Sequence, residues 1–266
     1  MSRLIAVRDL NISFSSELGS TGAVSNLNFE IHRGEITALV GESGSGKSVT
    51  ANSLLRLLPD SAQINGEIIL TTDTGDVDIL KLEERGEPLR DIRGGQISMV
   101  FQEPMTALSP VHTIGDQVSE AIVCHQPVDQ ATAWQQAQDM LNAVGINDAH
   151  LAMHRYPFQF SGGMRQRAVI AMALVCQPAL LICDEPTTAL DVTVQAEILV
   201  LIRALHEALD NAVLFITHDL AVVAQIADRV LVMYQGSIVE EGPVRQILRS
   251  PNHPYTQKLL SSVPKL

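Results

Sequence analysis

The run Gly41-Glu42-Ser43-Gly44-Ser45-Gly46-Lys47-Ser48 constrains this chain more than any other segment. The short β-branched stretch 36–40 precedes it, and a helix-compatible stretch, 48–58, follows it and stops at Pro59. A strand feeding through a glycine loop into a helix opens a βα unit, which requires a parallel sheet and covering helices elsewhere. The spacing matches GxxxxGK[ST], whose glycines let backbone amides converge on a phosphate. Lys47 is expected to reach the β- and γ-phosphates, and the Ser48 hydroxyl to hold Mg²⁺. Gly41, Ser43, Gly44, Ser45, Gly46, Lys47, Ser48 and Val49 are therefore the nucleotide-contact candidates.

Other segments supply chemistry around such a loop. Leu180-Leu181-Ile182-Cys183 is an apolar strand ending in Asp184, an acid placed to hold Mg²⁺, and Glu185 then stands where a general base for water belongs. Gln102 follows the apolar strand 97–101 and can ligate Mg²⁺ or the attacking water while starting a mobile loop. His218 ends strand 213–217, at the edge of a parallel sheet that faces ligands, and can donate a hydrogen bond to the γ-phosphate. Phe14 fits either stacking on adenine or ordinary packing at a strand end. Ser161-Gly162-Gly163 runs into an apolar helix and makes a second anion site, because small residues and a helix N-terminus both welcome a phosphate. One nucleotide does not need two such sites.

The net charge of −12 argues against nucleic acid as a partner, since backbone phosphates select a basic surface. Cys124, Cys176 and Cys183 are widely spaced without a CxxC, which points to a reducing, cytosolic compartment rather than a disulfide framework or metal site. The start lacks the apolar run of a secretory signal, and Gln177-Pro178 interrupts the most apolar region, 168–183. Any membrane crossing would fall to other chains.

The first third reads as β-rich, with a strand at 4–14 and alternating Leu27, Phe29 and Ile31. Strand signals vanish between 115 and 155, where Trp134, Ala137, Met140, Leu141 and Val144 keep helical spacing up to a stop at Gly145. This predicts an inserted helical subdomain with Trp134 as its core anchor. Helix 168–175, strand 180–183, a helix carrying Val194, Ile198, Ile202 and Leu205, strand 213–217, and a hairpin of 230–234 with 238–240 complete the pattern.

In this order, Gly41–Ser48, Gln102, Ser161-Gly162-Gly163, Asp184-Glu185, Ala189-Leu190-Asp191 and His218 resemble the Walker A, Q-loop, signature, Walker B with catalytic glutamate, D-loop and switch histidine of ABC ATPases. The resemblance spans nearly the whole chain. It implies an α/β fold: a P-loop NTPase core with a mainly parallel sheet, an N-terminal antiparallel β-subdomain and an inserted α-helical subdomain at about 115–160. It also implies ATP and Mg²⁺ as cofactors, the metal held by Ser48, Gln102 and Asp184. Two such domains would pair head to tail, Ser161, Gly162 and Gly163 acting on the partner's ATP and Asp191 lining the dimer interface. The usual signature is LSGGQ; here Phe160 and Met164 replace its first and last residues.

The segments 101–110 (FQEPMTALSP), 160–167 (FSGGMRQR) and 184–195 (DEPTTALDVTVQ), and His253-Pro254-Tyr255-Thr256 in a tail at about 245–266, resemble the peptide/nickel group of bacterial importers. That group implies a second, non-identical ATPase subunit, two integral membrane permeases and an extracytoplasmic solute-binding protein. It also implies a peripheral place on the cytoplasmic face of the inner membrane. Without a cysteine-bearing tail, the chain resembles the shorter metal-importing subunits or the first half of a fused, glutathione-importer type of double ATPase. A soluble ABC ATPase, such as an accessory subunit of a phosphonate carbon–phosphorus lyase, has similar signature and tail segments and is the rival reading.

Overall fold

The computed structural model describes residues 2–16, 19–188 and 190–261. Ala189 and the end of the tail, 262–266, lie outside the described residues. Backbone contacts divide the chain into two compact units, Met1–Leu89 with Asp210–Leu266, and Arg90–Leu209.

The first unit begins with a four-stranded antiparallel sheet in the order Gly19–His32, Arg3–Ser16, Ala62–Thr72, Gly75–Asp78. Leu27, Phe29 and Ile31 are buried while their neighbours are exposed, the period-two pattern of a half-buried strand. Strand Ala62–Thr72 carries little of that signal, because only Ile68 and Leu70 along it are buried.

The same unit holds strands Ser237–Pro243, Arg229–Tyr234, Ile36–Val40 and Ala212–Thr217, adjacent in that order. Ile36–Val40 pairs in parallel with both Ala212–Thr217 and Arg229–Tyr234. Every residue of Ile36–Val40 and of Ala212–Thr217 is buried, as expected of parallel strands covered on both faces. Ser237–Pro243 closes the edge as an antiparallel hairpin through Gln235 and Gly236, whose φ of 47° and 84° fit a type I′ turn.

Helix Lys47–Leu54 ends earlier than Pro59 would require. Arg56 adopts a left-handed φ of 50°, and Leu57 N–H donates to the Asn52 carbonyl at 2.9 Å, so residues 55–58 form a turn rather than a last helical turn.

In the second unit, strand Ile97–Val100 runs parallel to Leu180–Asp184. It stops one residue short of the expected 101, and Phe101 is exposed. Helices Ile114–His125, Gln130–Ala143, Gly162–Leu174 and Val192–Leu209 accompany the pair. Ile114–His125 starts in a capping box, Thr113 and Asp116 each accepting from the other's backbone N–H. Gly145, at φ 76°, follows the Gln130–Ala143 helix where the stop was expected. Trp134 is not the core anchor. It is half-buried, with its ring 5.4 Å from that of His154, while Ala133, Ala137 and Leu141 form the buried face of that helix.

Together these elements make a mixed α/β fold with a parallel-stranded core, an N-terminal antiparallel sheet and a helical subdomain. No helix among the described residues is long and apolar enough to cross a membrane.

Phe215 is the largest fully buried side chain and sits on strand Ala212–Thr217, which pairs with the strand leading into the glycine loop. Phe215→Ala should lower unfolding free energy by about 3–5 kcal/mol, read as a shifted urea midpoint.

Candidate nucleotide-binding site

The glycine loop hangs from the end of strand Ile36–Val40. Val40 is in register with Thr217, so Gly41 and His218 leave the sheet at the same edge. His218 is exposed there, and the next residue, Asp219, accepts from Ala221 N–H at 2.8 Å and caps helix Leu220–Ile226.

Close packing shapes the loop. A Cβ at Gly41 would stand 2.2 Å from the Met233 carbonyl oxygen, so no other residue fits without moving the neighbouring strand. Ser45 N–H donates to the Glu42 carbonyl at 3.2 Å, and Gly236 N–H donates to the Ser45 carbonyl at 3.0 Å. Lys47 is 5% exposed, and its ammonium donates to the Gly41 and Glu42 carbonyls at 2.8 and 2.9 Å. The charge expected at the β- and γ-phosphates thus braces the loop's own backbone, and a phosphate must exchange with these carbonyls. The Ser45 hydroxyl oxygen is buried without a hydrogen-bond partner among the described residues. An unpaired buried hydroxyl and an unshielded helix start, with no acid in the first turn of Lys47–Leu54, both suit an anionic phosphate.

Phe14 is half-buried near the end of strand Arg3–Ser16, where it pairs with Thr21 and Ala62.

In the second unit, Val100 is in register with Cys183, so Gln102 and Glu185 emerge from neighbouring strand ends. Gln102 Nε2 donates to Glu185 Oε2 at 3.4 Å, and Thr188 Oγ1 donates to the same oxygen at 2.9 Å. Glu185 has a φ of 47°, an uncommon backbone state for a residue with a side chain. Two donors and a fixed backbone therefore aim one carboxylate. Asp184 beside it is 6% exposed, and burial pushes the adjoining Cys183 thiol far up, leaving it an inert core group. By type alone, the Ser48 hydroxyl of the first unit, and the Gln102 amide and Asp184 carboxylate oxygens of the second, are hard donors of the kind Mg²⁺ takes.

Ser161 is the N-cap of helix Gly162–Leu174, which begins six residues before the expected 168. Its hydroxyl oxygen accepts from Met164 N–H at 3.3 Å, a role that leaves the hydroxyl proton for another acceptor. Phe160 is 3% exposed, so the residue standing for the usual leucine serves the core. A Cβ at Gly163 would meet Val194 Cγ1 at 2.9 Å, whereas one at Gly162 would meet nothing within 4 Å. Gly163 is explained by packing inside the chain; Gly162 is not. Asp191 Oδ1 accepts from Thr193 and Val194 N–H at 3.0 Å each and caps helix Val192–Leu209.

Two residues at these sites lay outside the sequence expectations. Thr188 orients Glu185, and the Tyr255 hydroxyl oxygen accepts from the Glu42 N–H at 3.0 Å. The HPYT segment was a visible signal, but it spoke only of kinship.

Comparison with known proteins agrees with this geometry. Residues 24–188 match the ABC transporter family, and residues 239–266 match the C-terminal region of oligopeptide/dipeptide transporters. The glutathione import ATP-binding protein GsiA of Shigella dysenteriae is 52% identical over 99% of this chain, and that of Escherichia coli K12 is 51% identical. The chain spans 42% of the length of these relatives. Among solved structures, the ATP-binding cassette MJ0796, captured as a dimer with ADP and Pi, superposes with a TM-score of 0.78 at 26% identity, covering 91% of this chain and 99% of that one. CbiO1 of Clostridium perfringens, part of the ABC transporter complex cbiONQ, gives 0.77 at 27% identity over 94% and 92%. A phosphate loop of this shape, a braced acid pair and a capped Ser-Gly-Gly helix, in the family's order, leave one conclusion: the chain belongs to the ABC transporter family, as an ATP-binding domain of its peptide/nickel branch.

Proposed function

We propose that this chain binds and hydrolyses ATP to drive import of a peptide, glutathione, nickel complex or related small solute. The observation that carries the proposal is the pairing of a complete phosphate loop with an oligopeptide-transporter C-terminal segment in one chain. Because the soluble rival shares such a tail, it is the import role printed for the GsiA relatives that favours transport. The two matches support reading 1–266 as a single ABC ATPase domain.

In this reading the amides of residues 43–48, with Lys47 and Val49, hold the phosphates, and Phe14 lies by the base. Ser48, Gln102 and Asp184 would hold Mg²⁺, which would supply positive charge to the phosphate oxygens. Glu185, aimed by Gln102 and Thr188, takes the proton from water, and His218 donates to the terminal phosphate. Ser161, Gly162 and Gly163 serve a partner domain's nucleotide, and Asp191 lies at that interface. The open space around Gly162 supports a use outside the chain. The partner would be a second, non-identical ATPase domain. Two membrane permeases and an extracytoplasmic binding protein complete the importer, with this domain at the cytoplasmic face.

Glu185→Gln should keep ATP binding while cutting turnover at least ~100-fold, as loss of a general base does. Wild-type turnover at matched folding would remove Glu185 from that role. In a mixed dimer, Ser161→Ala on one domain should silence hydrolysis at the other domain's phosphate loop; loss at its own loop instead would sink the head-to-tail arrangement. Recovery with polytopic proteins in washed membranes, rather than in a soluble lyase complex, is the expected outcome of native purification.

A further inference from the structure

Tyr255 opens helix Pro254–Ser261 and is 6% exposed, its ring packed in a cluster with Ala38, Val40, Val230 and Val232. Its ring centroid lies 4.1 Å from that of Tyr234. From this fixed position its hydroxyl accepts the Glu42 backbone N–H at 3.0 Å. The carbonyl of the same residue accepts Lys47 Nζ at 2.9 Å and Ser45 N–H at 3.2 Å. Glu42 is thus held at both ends of its backbone, by the C-terminal segment on one side and by the loop's own lysine on the other.

The segment that carries Tyr255 is docked. The Glu240 carboxylate on strand Ser237–Pro243 accepts from Asn252 N–H at 2.7 Å and His253 N–H at 3.1 Å, and His253 Nδ1 accepts Tyr255 N–H at 3.2 Å. Burial pulls the Glu240 carboxyl upward, but the hydrogen bonds it accepts outweigh that and hold it below the usual carboxylate range. Lys258 Nζ stands 4.0 Å from the Glu42 carboxylate, an exposed pair that adds little.

We propose that Tyr255 is a positioning residue for the phosphate loop: docked through Glu240, it fixes the Glu42 peptide so that the loop keeps its shape while Lys47 exchanges backbone carbonyls for a nucleotide phosphate. The physical reason is the asymmetry of hydrogen-bond costs. A hydroxyl removed from a packed ring leaves the Glu42 N–H without its partner, and the peptide must reorient to find another. With Lys47 also leaving on phosphate arrival, an untethered Glu42 would have lost both of these holds at once.

The inference rests on the nucleotide reading of the loop, and the full chain tests the two separately. In ligand-free Tyr255→Phe, which keeps the ring, the Glu42 amide should exchange hydrogen at least about tenfold faster, with residues 36–40 unchanged. With Mg²⁺ and ATP, KM should rise on the order of fivefold, the worth of one hydrogen bond, while kcat at saturation stays within about twofold. Glu240→Gln, which loosens the dock and leaves Tyr255 in place, should shift both readouts the same way by less. Unchanged Glu42 exchange in Tyr255→Phe, or a fall in kcat with KM unmoved, overturns the proposal. A wild-type chain that binds no nucleotide would overturn the functional reading instead, and the ligand-free exchange would still judge the tether.

Discussion

Strand Ile36–Val40 is hydrogen-bonded along both edges and buried at every residue, and the chemistry of the first unit depends on that confinement. A glycine loop can hold a defined shape only if its entry is fixed, because glycines contribute no side-chain packing of their own. Here the parallel register fixes the entry, the Met233 carbonyl blocks any side chain at Gly41, and Lys47 ties the first two loop carbonyls together. His218 inherits its place from the same register, one residue beyond Thr217.

The second unit solves a similar problem by different means. Glu185 is aimed not by burial but by backbone strain and by the Gln102 and Thr188 side chains. A carboxylate held this way has little orientational freedom left to lose, because its geometry is set in advance. The cost of the left-handed φ is on the order of 1–3 kcal/mol and falls on the fold as a whole.

Much of this was legible in the sequence, for identifiable reasons. Strands 36–40, 180–183 and 213–217 are buried on both faces, so they read as unbroken apolar runs bounded by loop residues. The phosphate loop and the acid pair follow from spacing alone. Strand Ala62–Thr72 was invisible because only Ile68 and Leu70 along it are buried, too few to mark an alternating apolar face. Trp134 was misjudged because its spacing placed it on the right helix but could not say how completely a large ring would be covered. The Arg56 turn hid behind good helix formers, since a left-handed residue leaves no compositional trace when it is not glycine. The Tyr255 contact joins positions 213 residues apart, and no local pattern predicts such a meeting.

Gly162 and Gly163 are neighbours of identical type in different surroundings. Gly163 is pinned by Val194 on an adjoining helix of its own chain, while Gly162 faces open space among the described residues. Identical letters can therefore face different tests, since a methyl group added at 163 must displace a neighbour and one added at 162 need not. Sensitivity to such a change at 162 would then report on something beyond this chain's own packing.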